Sequence, residues 1–140
     1  MSFREKIAWT AFATTLLAWG GYFTIVVLKA VEGSTHDPIL FWLFVAATVT
    51  QALLMAATAA VSALLSPRDA QAPPDERDRR IAQRASGIAY GVVLVAIAAV
   101  IVWMHAGLRG TNVIFALIGV FILGEAVRFG AKAVGYRVGG

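Results

Sequence analysis

SPRDAQAPPDERDRRIAQR, residues 66–84, is the only extended hydrophilic stretch of this chain, and its position decides the fold. It carries Arg68, Arg77, Arg79, Arg80 and Arg84, and the sequence on either side of it is apolar over long distances. Two apolar runs precede it, 7–28 and 39–65, and two follow it, 85–106 and 113–134. An apolar helix needs about 20 residues to cross ~30 Å of hydrocarbon at 1.5 Å per residue. Each run is long enough. The sequence therefore predicts an all-α fold, an integral membrane bundle of four transmembrane helices forming a single membrane domain over 1–140.

The basic residues predict the orientation. If the four runs all cross, Lys29 and Arg109 fall on one face and every other member of the twelve Lys and Arg falls on the opposite one. Lys and Arg are retained on the cytoplasmic side, so both termini and the loop 66–84 are expected inside the cell. This asymmetry, with short outer loops, suits a multi-pass protein of the bacterial inner (plasma) membrane. Arg4 and Lys6 precede the first run as they would in a secretory signal. That run exceeds the roughly 7 to 15 apolar residues of a signal core, so it reads as an uncleaved helix. Glu125 and Arg128 interrupt the fourth run, which still reaches the inner interface near Lys132, where a lysine can extend to the headgroups.

Composition agrees with this reading. The chain is 59% hydrophobic and 14% charged, with a mean hydropathy of +0.76, too few polar residues to cover a soluble globule. Its net charge of +4 and pI near 10.0 sit at the expected membrane borders, which favours membrane lipid over nucleic acid as the partner of the basic groups. The lack of cysteine removes disulfides, thiol nucleophiles and thiolate metal sites.

Within the loop, Pro67, Pro73 and Pro74 predict a non-helical first half. Asp75 then provides a helix cap with Asp78 at the third position, and Asp75 with Arg79 and Glu76 with Arg80 are spaced for i, i+4 pairing. A short solvated helix running straight into the third span is expected. Asp37-Pro38 specifies the start of the second helix, and Thr111 that of the fourth. Aromatic residues fall where interfacial belts belong, with Tyr22, Phe23, Phe41, Trp42, Trp103 and Phe115 outside and Phe3, Trp9, Phe129 and Tyr136 inside. A shift of 74 residues lays the first hairpin on the second, Asp37 on Thr111 and Gln51 on Glu125, which suggests a parallel internal repeat.

Glu125 is the most informative single residue. Counting along the helix places it about 18 Å below the outer boundary and ~12 Å above the inner one. Gln51 falls at the same depth, with Thr14, Thr15 and Tyr90 within a turn of it, so the four helices are expected to share one polar layer. In one reading Glu125 binds a proton or cation during transport. In the other it pairs with Arg128 at i+3, and the remaining polar groups act as packing glue. The second is favoured because the cation stands ready.

Three further sets have weaker signatures. Glu32, His36, Asp37 and His105 match no metal-ligand spacing, and no metal is expected there. Gly87 with Gly91, and Ala126 with Gly130, have the small-xxx-small spacing of close helix contacts, within one bundle or between subunits. Arg77, Arg80 and Arg84 lie along one helical side and suit docking to a partner or to lipid. Phosphate-cradling, hydrolase, zinc-protease and dinucleotide motifs are missing, so neither an enzyme nor a cofactor is expected.

The stretch Asp75-Glu76-Arg77-Asp78-Arg79-Arg80-Ile81-Ala82-Gln83-Arg84-Ala85, followed by Tyr90 and an apolar run, resembles a segment of uncharacterised families of small bacterial four-helix membrane proteins. The resemblance implies fold and location and carries no activity. The small multidrug resistance family shares the size and a membrane Glu. It carries that Glu in its first helix, whereas 7–28 contains no acid here. The expected function is that of a non-enzymatic accessory or regulatory subunit, acting through helix packing and the basic cytoplasmic loop, as a homo-oligomer or with a membrane protein partner. The alternative is a proton-coupled small-molecule or cation transporter using Glu125.

Overall fold

The computed structural model describes residues 3–65, 67 and 71–138, without the side chain of Phe3. Expectations that fall on 1–2, 66, 68–70, 139–140 and the Phe3 ring lie outside the described residues. Four long helices account for nearly all of the rest: α1 (Phe3–Val31), α2 (Ile39–Leu65), α3 (Glu76–His105) and α4 (Thr111–Val138). Their 27 to 30 residues make each about 40–45 Å long, the thickness of a bilayer with its headgroups. All four are long and apolar enough to cross a membrane.

The caps follow from local chemistry. Asp75 accepts from the Asp78 backbone N–H at 2.7 Å while the Asp78 carboxylate accepts from the Asp75 N–H at 3.2 Å, a reciprocal capping box that starts α3 where the acids predicted it. Asp75 thus serves the cap, and the i, i+4 ion pair of this segment is Glu76 with Arg80 at 3.2 Å. Pro67 and Gln71 have helical backbone, unlike the non-helical start expected for the loop, because the fixed φ of proline is itself compatible with helical backbone; Pro73 and Pro74 are irregular as expected. Asp37 Oδ1 accepts from the Ile39 N–H at 3.0 Å and caps α2. Thr111, expected as a cap, is instead the first residue of α4, and its hydroxyl bonds the His36 ring at 2.9 Å, tying the α1–α2 and α3–α4 turns together.

Those two turns are built alike. α1 ends with Ser34 N–H donating to the Lys29 carbonyl and Gly33 N–H to that of Ala30. α3 ends with the same pair of bonds, Leu108 to Trp103 and Gly107 to Met104. Each is a Schellman motif with glycine at the left-handed position, φ +73° at Gly33 and +119° at Gly107, where a side chain would be strained. The two glycines stand at the 74-residue offset that superposes the hairpins in sequence.

Packing is concentrated in three helix pairs, α1·α2, α1·α4 and α3·α4. α1 and α4 thus form a central seam, α2 and α3 flank it, and the flanking helices do not pack as a pair. The main core lies toward these two turns, where Trp19, Tyr22, Val26, Leu40 and Ile122 bury one another with Phe44 beside them. Trp19 contacts Tyr22 and Phe44 with ring centroids 5.7 Å apart. Tyr22 was expected in the outer aromatic belt, but it belongs to this core. Phe41, Trp42 and Trp103 remain outward and exposed, as a belt requires.

Close approach of α3 to α4 depends on glycine. A methyl group built at Gly124 would come within 2.5 Å of Val93, and one at Gly135 within 2.9 Å of Ile81, both on α3. On the α1 side, a methyl group at Gly130 would come within 3.0 Å of Phe12, whereas one at Gly119 would stand 3.6 Å from Phe23, in ordinary van der Waals contact. Each pair is eleven residues apart, three helical turns, so each serves one neighbour.

Candidate functional site

The polar groups expected in one layer fall into two separate sites. At the first, Gln51 of α2 reaches across to α1 and donates through Nε2 to Thr15 Oγ1 at 2.8 Å, with Thr14 Oγ1 at 3.4 Å. Thr14 donates back to the Thr10 carbonyl at 2.8 Å, the usual way a helix accommodates a buried hydroxyl. Thr15 is only 2% exposed, so this bond is dry. The Gln51 Oε1 is buried with no hydrogen-bond partner among the described residues. Exchanging the amide O and N brings an acceptor to the Thr15 hydroxyl but leaves the other end of the amide in the same position, so the bridge uses half of the amide's capacity.

The second site lies within α4. Glu125 Oε2 accepts directly from Arg128 Nη2 one turn away, and the guanidinium carbon stands 4.9 Å from the Phe129 ring centroid, in cation–π range. Both charged side chains keep about a third of their surface, 31% for Glu125 and 39% for Arg128. The pair opens on an apolar groove of about 340 Å³ between α3 and α4, with Tyr90, Val93 and Phe121 among its walls. Tyr90 is exposed and makes no bond to Glu125. Gln51 and Glu125, matched by the 74-residue shift, thus sit in different interfaces.

The small residues separate likewise. Ala126 and Gly130 lie against α1, Ala126 in a pocket with Thr15 and Trp19, and Gly130 under Phe12. Gly87 and Gly91 face outward, and a methyl group built at either would meet nothing within 4 Å among the described residues. The packing glycines missed in sequence are Gly119, Gly124 and Gly135. The eleven-residue spacing of Gly119 with Gly130 and of Gly124 with Gly135 was the signal that could have found them.

At the end opposite the two hairpin turns, α3 extends past its apolar stretch as a fixed polar helix. Arg4 of α1 pairs with Asp78 at 3.0 Å and donates to the Ala72 carbonyl at 2.8 Å. Arg77 donates to the Tyr136 carbonyl at 3.3 Å, a cation at the C-terminal end of α4 where the helix dipole welcomes it. Arg77 is therefore tied to α4 while remaining exposed. Arg80 holds only exposed Glu76, and Arg84 lines a groove with Arg80, Ile88 and Ala131.

At the hairpin-turn end, Lys29 bridges Asp37 at 3.3 Å and Glu32 at 3.5 Å. The Ile39 N–H, and secondarily Lys29, hold the Asp37 carboxyl below its ordinary range. His36 is bonded to Thr111, and His105 Nδ1 lies 2.9 Å from the Ile101 carbonyl. Among the described residues, His, Asp and Glu form no cluster of three suited to a metal.

No family model matches this chain, and neither does any curated protein or solved structure.

Proposed function

We propose that this chain is a multi-pass protein of the bacterial inner membrane, with both termini and the loop 66–84 in the cytoplasm, that serves as a non-enzymatic accessory or regulatory subunit. One observation carries the proposal: the basic start of α3 is pre-ordered for contact. Its capping box, the Arg4–Asp78 pair and the Arg77 bond to α4 hold it against its neighbours, leaving Arg79, Arg80 and Arg84 exposed. A surface held rigid before binding loses less entropy on docking than a flexible tail. The outward Gly87 and Gly91 give α3 a second face suited to close helix packing, between copies or with a membrane partner.

The first test is topology. Reporter fusions after Ala70 and Gly140 are expected to read cytoplasm, and fusions near Ser34 and Gly110 exterior; an exterior reading at Ala70 overturns the arrangement. The second is capture from mild detergent after crosslinking from introduced positions in 75–84. A single dominant membrane or cytoplasmic protein supports the subunit reading, and crosslinks to lipid alone refute it. Replacing Gly87 and Gly91 by Leu is expected to reduce oligomer mass without unfolding the protein.

A transporter reading draws on the opening of Glu125 to the α3–α4 groove. Its requirement is proton-dependent flux in liposomes that disappears in Glu125→Gln. The intrahelical partner Arg128 weighs against it, since the carboxylate already has its countercharge.

A further inference from the structure

We propose that the groove at the inner end of the α3·α4 pair is a binding site for one anionic phospholipid. Arg80, Gln83 and Arg84 line it together with Ala85, Ile88 and Ala131, around about 490 Å³, a volume within the range of small-molecule sites. The polar and apolar parts are segregated along α3. The guanidinium groups and the amide come first, and the apolar side chains follow toward the middle of the helix.

Arg80 and Arg84 are one turn apart, so they project from the same side and can grip one phosphate between them. Arg84 has no ion pair or hydrogen bond among the described residues. Arg80 shares only Glu76, in a pair whose side chains are 74% and 83% exposed, which costs little to give up. Below them, half-exposed Ile88 and Ala131 form an apolar trough. Gly135 shapes its closed side, because Ile81 lies where a side chain at 135 would stand. The occupant must therefore carry an anionic phosphate and, on its membrane side, a hydrocarbon chain. An acidic peptide satisfies the arginines but not the trough, whereas a phospholipid satisfies both. Anionic lipids are abundant on the cytoplasmic leaflet, the side to which the charge distribution assigns this end. The inference rests on the proposed membrane function and gives it a regulatory ligand: lipid in the groove would take up Arg80 and Arg84 and leave Arg79 free for a protein.

Native mass spectrometry of the full-length protein in mild detergent, titrated with dioleoyl phosphatidylglycerol or dioleoyl phosphatidylcholine, tests it directly. Phosphatidylglycerol is expected to be retained and phosphatidylcholine not. Each arginine replaced by Gln at 80 and 84 should weaken retention about fivefold. Ala131→Phe, which fills the trough and leaves the charges alone, should weaken it as well, and Arg80→Lys with Arg84→Lys should retain the preference. Arg79→Gln, outside the groove, should change it less than twofold. Circular dichroism and melting confirm that each variant is folded. Equal retention of both lipids overturns the site, as does phosphatidylglycerol binding untouched by the groove variants. Equal loss in Arg79→Gln indicates general surface charge and also overturns it, and displacement by millimolar inorganic phosphate makes it a phosphate site. Binding in detergent does not depend on orientation, so an exterior reporter at Ala70 overturns the topology separately.

Discussion

The α1–α2 and α3–α4 hairpins turn on the same glycine geometry and carry a polar residue at the same position, yet they are held together by different forces. α1 and α2 meet through large aromatic side chains near their connecting turn and an amide bridge further from it, Gln51 to Thr15. α3 and α4 meet backbone to side chain, with Gly124 and Gly135 cut away to admit Val93 and Ile81. In an apolar solvent burial gives helices no reason to associate, so close packing and polar bonds must do it. The first hairpin adds the bond to a packed aromatic core, and the second depends on the fit. The corresponding polar residue in the second hairpin, Glu125, makes its bond to its own helix and contributes nothing to holding α3.

The strongest way to break the comparison is Gly124→Leu. The Val93 methyl already occupies the space of the first added carbon, and overpacking of this kind is expected to cost about 3 kcal/mol in denaturant unfolding in detergent. Gly91→Leu, on the open face of α3, should leave that unfolding unchanged. Equal effects at the two sites would mean that glycine packing does not hold the second hairpin.

Next in size is Glu125→Gln, which leaves a part-buried guanidinium without its countercharge and should destabilise by about 2 kcal/mol. Adding Arg128→Met should recover most of the loss, because the apolar replacement avoids desolvating two charges. Failure of the double variant to recover would show that the pair does more than neutralise itself.

The first hairpin should respond less. Thr15→Val removes the nearer acceptor and leaves the Gln51 amide only the longer contact to Thr14 Oγ1, for an expected cost of about 1 kcal/mol. Gln51→Leu, which removes both the used and the unused end of the amide, should be close to neutral. A larger cost for Gln51→Leu than for Thr15→Val would reverse the account.

The smallest effect concerns the turn between α1 and α2. Since the folded state holds the Asp37 carboxyl below its ordinary value, this group stabilises at pH above about 4, where the unfolded chain is also ionised, and the contribution fades as pH falls through the lowered value. The melting advantage of the native protein over Asp37→Asn should therefore be full at neutral pH and vanish in strong acid. An advantage that persists there would assign Asp37 a role independent of its charge.

The helices themselves were legible because their causes are local. Apolar length marks each span, and Asp37-Pro38 and Asp75 with Asp78 mark two starts within a residue. Partner choice was not legible. Counting along the axis placed Thr14, Thr15, Gln51, Tyr90 and Glu125 at one depth, but depth carries no information about azimuth. Tyr90 and Glu125 consequently line a groove away from Gln51. Gly87 and Gly91 stood out because four-residue spacing is familiar, whereas the glycines that admit neighbours are eleven apart on α4. Tyr22 read as an interfacial tyrosine from its position, and only the rings of Trp19 and Phe44 make it a core residue.

The central seam also sets an order in time. α1 is the first of the four helices to be synthesised and α4 the last, yet they are packed against each other in the middle. At about 5 to 20 residues per second, several seconds pass between completion of α2 and arrival of α4. During that interval Phe12 and Phe23 have no glycine beneath them, and α3 has no Gly124 to receive Val93. The nascent chain must wait half-assembled, and the final helix closes both halves at once.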